Sequence, residues 1–318
     1  MGPQIWRKEG KKGTTFALRA LPIGGFCALE GEEEASDDPH SLSRQGFWKK
    51  VFVFAAGAIM NFLLGVAILL VVNCFASGFL VPVAAGCAPE FAAVNGAPLL
   101  EGDVIYSING SRIYLANDID LLIRLANRQP IDMVVLRNGE KVVFEDLAVG
   151  TFSDSEGNPY EGYGFYRSSI VLEATLGARL RYTWYTAVDF VRIVWYSLQM
   201  LFTGGAGVNE LTGPVGIVSN IGEIGAQSAS FTDALLNIAY FGAIITVNLA
   251  VMNLLPIPAL DGGHIIFLVI SAISEKLLNK KIQYEAVINM IFLALLMALM
   301  LFVTFNDIMR LFGRGTAP

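Results

Sequence analysis

Residues 51–72 read VFVFAAGAIMNFLLGVAILLVV, with Asn61 the one polar side chain among them. At about 1.5 Å rise per residue, a helix of that length crosses a hydrocarbon layer of roughly 30 Å. The run predicts a transmembrane helix within 47–80. Residues 286–305, AVINMIFLALLMALMLFVTF, have the same character, with Asn289 near their start. They predict a second span at the end of a segment covering 274–318. Between the two, residues 234–273 stay apolar over a length too great for one straight helix and too short for two plus a loop. One broken span within 231–273 is expected, interrupted by NLLPIPALDGGH at 253–264.

Composition agrees. Of 318 residues, 54% are hydrophobic and 16% charged, and the mean hydropathy is +0.55. These values point to an α-helical polytopic membrane protein in contact with a lipid bilayer. A net charge of −6 leaves no basic patch, so nucleic acid is excluded as a partner. Cys27, Cys74 and Cys87 have neither C-x-x-C spacing nor an even count, so they support no disulfide framework and no cysteine metal site. Residues 1–12 are polar and basic, with no apolar core of a signal peptide behind them. Arg44, Lys49 and Lys50 precede the first span, and Lys276, Lys280 and Lys281 lie between the later helices. The positive-inside rule makes both flanks cytoplasmic and residues from about 80 to 230 extracytoplasmic, with Arg310 and Arg314 in weak disagreement.

Within the cytoplasmic region 1–46, residues 14–29 place Phe16, Leu18 and Ala20 on one face and then turn at Pro22, Gly24 and Gly25. A β-hairpin or β-loop before the membrane is expected. The acidic stretch after it reads as a solvated loop. Residues 103–113, DVIYSINGSRI, predict two strands about an Asn109-Gly110 turn, and 131–146, IDMVVLRNGEKVVFED, a hairpin about Asn138-Gly139. Between them 117–130 predicts a helix capped by Asn117 or Asp118 and stopped by Pro130. Together they form one small α+β module within 81–150. Residues 151–181 read as loop within a linker covering 151–230. The aromatic run 182–202 predicts a helix lying at the membrane interface, because Asp189 and Arg192 are costly in mid-membrane. LTGPVGI at 211–217 reads as a Gly/Pro loop.

LLEGDVIYSING at 99–110 resembles the signature of bacterial PDZ domains, over about residues 84–148. The resemblance implies a module that takes up a peptide or a substrate C-terminus as an added strand.

Pro256 and Pro258 each remove a backbone donor, so the helix must open beside Asn253 and Asp261. A carboxylate there is protonated, paired or bound to a cation. From these residues alone three readings stand open: a turn with Asp261 capping the next helix near Gly262 or Gly263, an ion site of a transporter, or a metal ligand.

NLLPIPALDGG resembles the Asn-x-x-Pro-x-Pro-x-Leu-Asp-Gly motif of the site-2 protease family, zinc metalloproteases that cut peptide bonds within the membrane. LPIGGF, AAGAIMNF, the PDZ-like module, LTGPVGI and a final apolar helix follow the order of its bacterial branch, the regulator of sigma-E protease type. The resemblance implies three spans here, an inserted PDZ domain, and regulated cleavage of single-span membrane proteins such as an anti-sigma factor. It implies a bacterial cytoplasmic membrane location with the PDZ domain outside. It makes Asp261 a ligand of Zn(2+), beside two histidines of an H-E-x-x-H helix whose glutamate is the general base. Asn61, Asn253, Pro256, Pro258, Gly24 and Gly25 would then hold the substrate strand.

The chain departs from the family in two places. Ala58 stands where the family has proline, and the histidines are His40 and His264, with no H-E-x-x-H. The first span and the general base are therefore expected upstream of Met1, and the chain as written is expected to be inactive. His264, three residues after Asp261, is a weaker candidate ligand. The alternative function is a catalytically inactive, membrane-anchored PDZ adaptor.

Overall fold

The computed structural model describes residues 3–10, 14–20, 29–31, 38, 41–153, 158–168, 170–203, 211–278 and 285–314. Strands β1 (Gln4–Glu9) and β2 (Thr15–Arg19) form an antiparallel hairpin in which Trp6 faces Leu18 and Lys8 faces Phe16. Beyond the paired residues, the Gly10 amide donates to the Thr14 carbonyl at 2.7 Å. The turn expected at Gly24 and Gly25, and His40, lie outside the described residues.

Helix α1 (Phe47–Cys74) is long and apolar enough to cross a membrane, as are two later helices. After α1 the chain enters a β-rich module. It runs through β3 (Gly78–Leu80), β4 (Ala84–Cys87), α2 (Phe91–Asn95), β5 (Val104–Ile108), β6 (Ser111–Arg112), α3 (Ala116–Leu125), β7 (Ile131–Arg137) and β8 (Glu140–Leu147). One antiparallel sheet has the order β6-β5-β7-β8. Asn109 and Gly110 (φ +48° and +73°), like Asn138 and Gly139 (φ +52° and +87°), take the left-handed conformations their hairpin turns need. Phe91, Ile105, Ile108, Ile119, Ile131, Met133 and Leu147 form the core beneath the sheet. The helix cap differs from expectation. Leu115 holds the cap position, and Asp118, in the first turn, reaches back to accept from the amides of Tyr114 (2.7 Å) and Leu115 (3.2 Å).

The stretch read as loop beyond 150 is largely strand: β9 (Gly150–Ser153), β10 (Pro159–Gly162), β11 (Phe165–Arg167) and β12 (Val171–Glu173). β11 pairs with β4 and β12 with β3, so the entry and exit of the module are zipped together. Strands of three residues are too short to display an alternating pattern, and their partners lie far away in the sequence.

Helix α4 (Leu176–Thr203) then runs back along the long apolar helices. Its Ala187 and Phe190 are buried with Leu69 of α1 and with Ala243 and Val247 of α6 (Phe231–Asn253). Its Tyr196 reaches the module, 3.0 Å from Ser111. Helix α5 (Pro214–Gln227) begins inside the LTGPVGI stretch read as a loop, with Pro214 at its first position. Proline suits that position because its missing N–H would have no helical partner anyway. Where one broken span was expected, α6 is by itself long and apolar enough to cross, and α7 (Asp261–Leu278) is a separate, shorter apolar helix. Helix α8 (Glu285–Arg314) is the third candidate span. Helix α1 packs most extensively on α6, where Gly65 lets the backbones approach. A Cβ there would stand 2.6 Å from Val247 Cγ2.

Candidate metal centre

The backbone between α6 and α7 is shaped by its prolines. Past Asn253, the amides of Leu254 and Leu255 reach back only three residues, to Val251 and Met252, and the ladder stops. Leu260 N then donates to Ile257 O at 3.2 Å, closing a turn with Pro258 second and Ala259 third. Ala259 has φ +71°, the geometry of a type II turn, which an L residue adopts at a cost of about 1 kcal/mol. Its amide donates to Asn289 Oδ1 of α8 at 3.1 Å.

Asp261 is the first residue of α7. The glycines after it are sterically required. A Cβ on Gly262 would fall 2.3 Å from the carbonyl oxygen of Leu255, and one on Gly263 equally close to that of Ile257. This contact seats the first turn of α7 directly on the loop. On the other side stands α1: a Cβ on Gly57 would lie 3.5 Å from Asp261 Oδ2. One turn earlier Phe54 stacks on His264, with ring centroids 5.3 Å apart and planes at 18°.

The structure therefore brings Asp261 and His264 against Gly57 and Phe54 of α1. Asn61 is one turn beyond Gly57 on the same side of α1, as i and i+4 helical positions must be. Asn253 ends α6, Pro256 is exposed and Pro258 partly buried. Gly24 and Gly25 lie outside the described residues. Sequence reasoning missed Phe54, Gly57 and Asn289. Only Asn289 left a signal, as a lone amide in an apolar run.

A catalytic zinc takes three protein ligands and keeps an open position. Among the described residues no group of three or more His, Cys, Asp or Glu lies together. Asp261, with His264 on the next turn, fits part of such a shell and not the whole.

A second polar cluster lies away from this loop. Arg192 Nη1 of α4 meets Asp118 Oδ2 of α3 at 3.2 Å, and Asp189, one turn earlier on α4, is buried beside them. Burial, and then the negative charge of Asp118, push the Asp189 carboxyl up to about 7.

The model of the family described as Peptidase family M50 matches residues 1–299. A Clostridium acetobutylicum protein with a provisional zinc metalloprotease name is 30% identical over 310 residues, 97% of this chain and 86% of its own. The regulator of sigma-W protease RasP of Bacillus subtilis is 31% identical over 288 residues, 90% of this chain and 65% of its own. The zinc metalloprotease RasP of Shouchella clausii is 32% identical over 265 residues, 83% of this chain and 60% of its own.

Proposed function

Because this chain belongs to peptidase family M50, the site-2 protease family, we propose that it is the membrane part of a zinc metalloprotease of regulated intramembrane proteolysis, with Asp261 as one zinc ligand. The observation that carries the reading is the seat of Asp261: a carboxylate at the head of α7, held by a glycine-packed turn and facing α1. Zinc is the cofactor of this family. When bound it acts as a Lewis acid toward a peptide carbonyl and activates water. The other two ligands and the general base belong, in this reading, to an H-E-x-x-H helix, a motif these 318 residues do not contain. Asn253, at the end of α6, and Asn61, one turn beyond Gly57 on α1, hold an extended substrate segment by its backbone groups in this reading.

The substrates are single-span membrane proteins, and RasP of Bacillus subtilis, named for sigma-W, supports an anti-sigma factor as one of them. The β-rich module is read as an extracytoplasmic PDZ domain that screens substrates or binds their C-termini. What supports a peptide site is β11, paired along one edge with β4 and tied to α3 by the Arg167–Asp120 ion pair. An extended peptide is accommodated between such a strand and helix.

The test is expression with the residues encoded upstream. The protein should bind zinc, cleave a single-span reporter, and lose both when Asp261→Asn is introduced. Zinc binding unaffected by Asp261→Asn would remove the ligand assignment. A stop codon directly before Met1, with no cleavage, would favour the adaptor.

A further inference from the structure

Between Ala286 and Val303 of α8 the sole polar side chain is Asn289. Its Oδ1 accepts from the amide of Ala259, whose positive φ puts it at the strained position of the turn before Asp261. The hydrogen bond that closes this turn uses the Leu260 amide, so the Ala259 amide needs an acceptor from elsewhere. In a lipid environment an amide without one costs several kcal/mol. The Asn289 carbonyl therefore opposes relaxation of the turn towards a less strained shape, which would rotate the start of α7.

The far end of α8 is anchored in the same manner. Asp307 accepts from the amides of Gly213 (2.9 Å) and Gly216 (2.8 Å) at the start of α5. Eighteen residues separate Asn289 from Asp307, about five turns at 3.6 residues each, so both lie on one face. Helix α8 is thus held on that face at both ends through backbone amides of other elements.

We propose that Asn289 is a positioning residue for Asp261: it accepts the Ala259 amide proton and so fixes the turn that aims the carboxylate at the metal. The proposal rests on Asp261 being a zinc ligand, as argued above. Asn289→Leu keeps the size of the side chain and removes the acceptor, whereas Asn289→Asp keeps an oxygen in the same place.

Both variants and the parent are prepared in nanodiscs, in the protein carrying its upstream segment. Zinc affinity is measured by chelator competition, and hydrogen exchange is followed over 254–260 and over α6. In Asn289→Leu, zinc affinity should fall about tenfold, the usual cost of losing an outer-shell partner, with Asn289→Asp within about twofold of the parent. Exchange over 254–260 should quicken in Asn289→Leu alone, α6 should be unchanged, and kcat should fall without a change in KM. Parental zinc affinity in Asn289→Leu, or an Asn289→Asp variant as impaired as Asn289→Leu, would overturn the proposal. If the parent itself binds no zinc through Asp261, the proposed function fails. Exchange over 254–260 then still decides whether Asn289 holds the turn, and parental exchange in Asn289→Leu counts against it.

Discussion

Arg192 of α4 and Asp118 of α3 stand 3.2 Å apart with side chains 17% and 0% exposed, joining the β-rich module to the helix that packs on α1 and α6. Removing the cation leaves the buried Asp118 carboxylate, with Asp189 beside it, without its charged partner and with only the Tyr114 and Leu115 amides to accept from. Arg192→Met in the full chain should lower stability by about 3 kcal/mol, read from denaturant unfolding in detergent. A loss near zero would mean that the pair is solvated.

The same cluster sets a pH dependence. Burial first, and then the charge of Asp118, raise the Asp189 carboxyl to about 7, against about 3.9 for an unfolded chain. A group whose folded pKa is raised holds its proton more tightly when folded. Its contribution is complete below the unfolded value and is lost as pH rises through about 7. The thermal midpoint should therefore fall between about pH 4 and about pH 7 and level off above it, and Asp189→Asn should flatten that slope.

Asp103 works in the opposite sense within the module. It accepts from Arg137 (2.7 Å) and from the Leu100 amide (2.9 Å), and Arg137, against the cost of burial, holds its carboxyl below the usual range. Its contribution is present above the unfolded carboxylate's pKa and is lost as pH falls through the lower folded value. Acid unfolding of the module, followed by far-UV circular dichroism, should begin at higher pH in Arg137→Met.

The glycines at the candidate metal centre should divide sharply. Gly262→Ala and Gly263→Ala drive a methyl group onto backbone carbonyls 2.3 Å away and should each cost about 2–3 kcal/mol or more. Gly57→Ala meets Asp261 Oδ2 at an ordinary 3.5 Å and should leave the thermal midpoint close to the parent's. Equal effects at all three positions would contradict the close packing of α7 on the loop.

Asp307→Ala leaves the Gly213 and Gly216 amides without their acceptor at the start of α5. A loss of about 1–2 kcal/mol is expected, as for removal of a helix cap. Faster hydrogen exchange confined to the first turn of α5 would identify the cause.

The helices long and apolar enough to cross a membrane were legible because length and apolarity are local. Val51–Val72 could be little else, and Pro256 with Pro258 had to open the backbone beside Asp261. The hairpins at Asn109-Gly110 and Asn138-Gly139 were equally plain, since each carries its own turn chemistry. The strands after 150 were not. Phe165–Arg167 and Val171–Glu173 become strands only because β4 and β3 wait for them across the module. The Asp118 error has the same origin: a side chain of that type caps from either end of the first turn, and backbone geometry selects which.

At the candidate metal centre, Asp261 stood out as an ionisable group beside broken backbone, and Asn61 and Asn253 were picked out by resemblance. Gly57 and Phe54 carried no sign of their place, because nothing in α1 says which of its faces α7 will meet. Asn289 was visible as a polar residue in an apolar run, yet its partner is an amide thirty positions away.

By itself the sequence determined which segments are helices fit for lipid, where the backbone must break, and which carboxylate sits at the break, since each follows from composition within a few turns of chain. Only the tertiary structure decided that α6 and α7 are separate helices, that α4 joins the module to α1 and α6 through Arg192, and that Ala259 relies on Asn289. Those outcomes depend on which unsatisfied amides, carboxylates and close-packed faces meet across long stretches of chain, and no local pattern encodes that choice of partner.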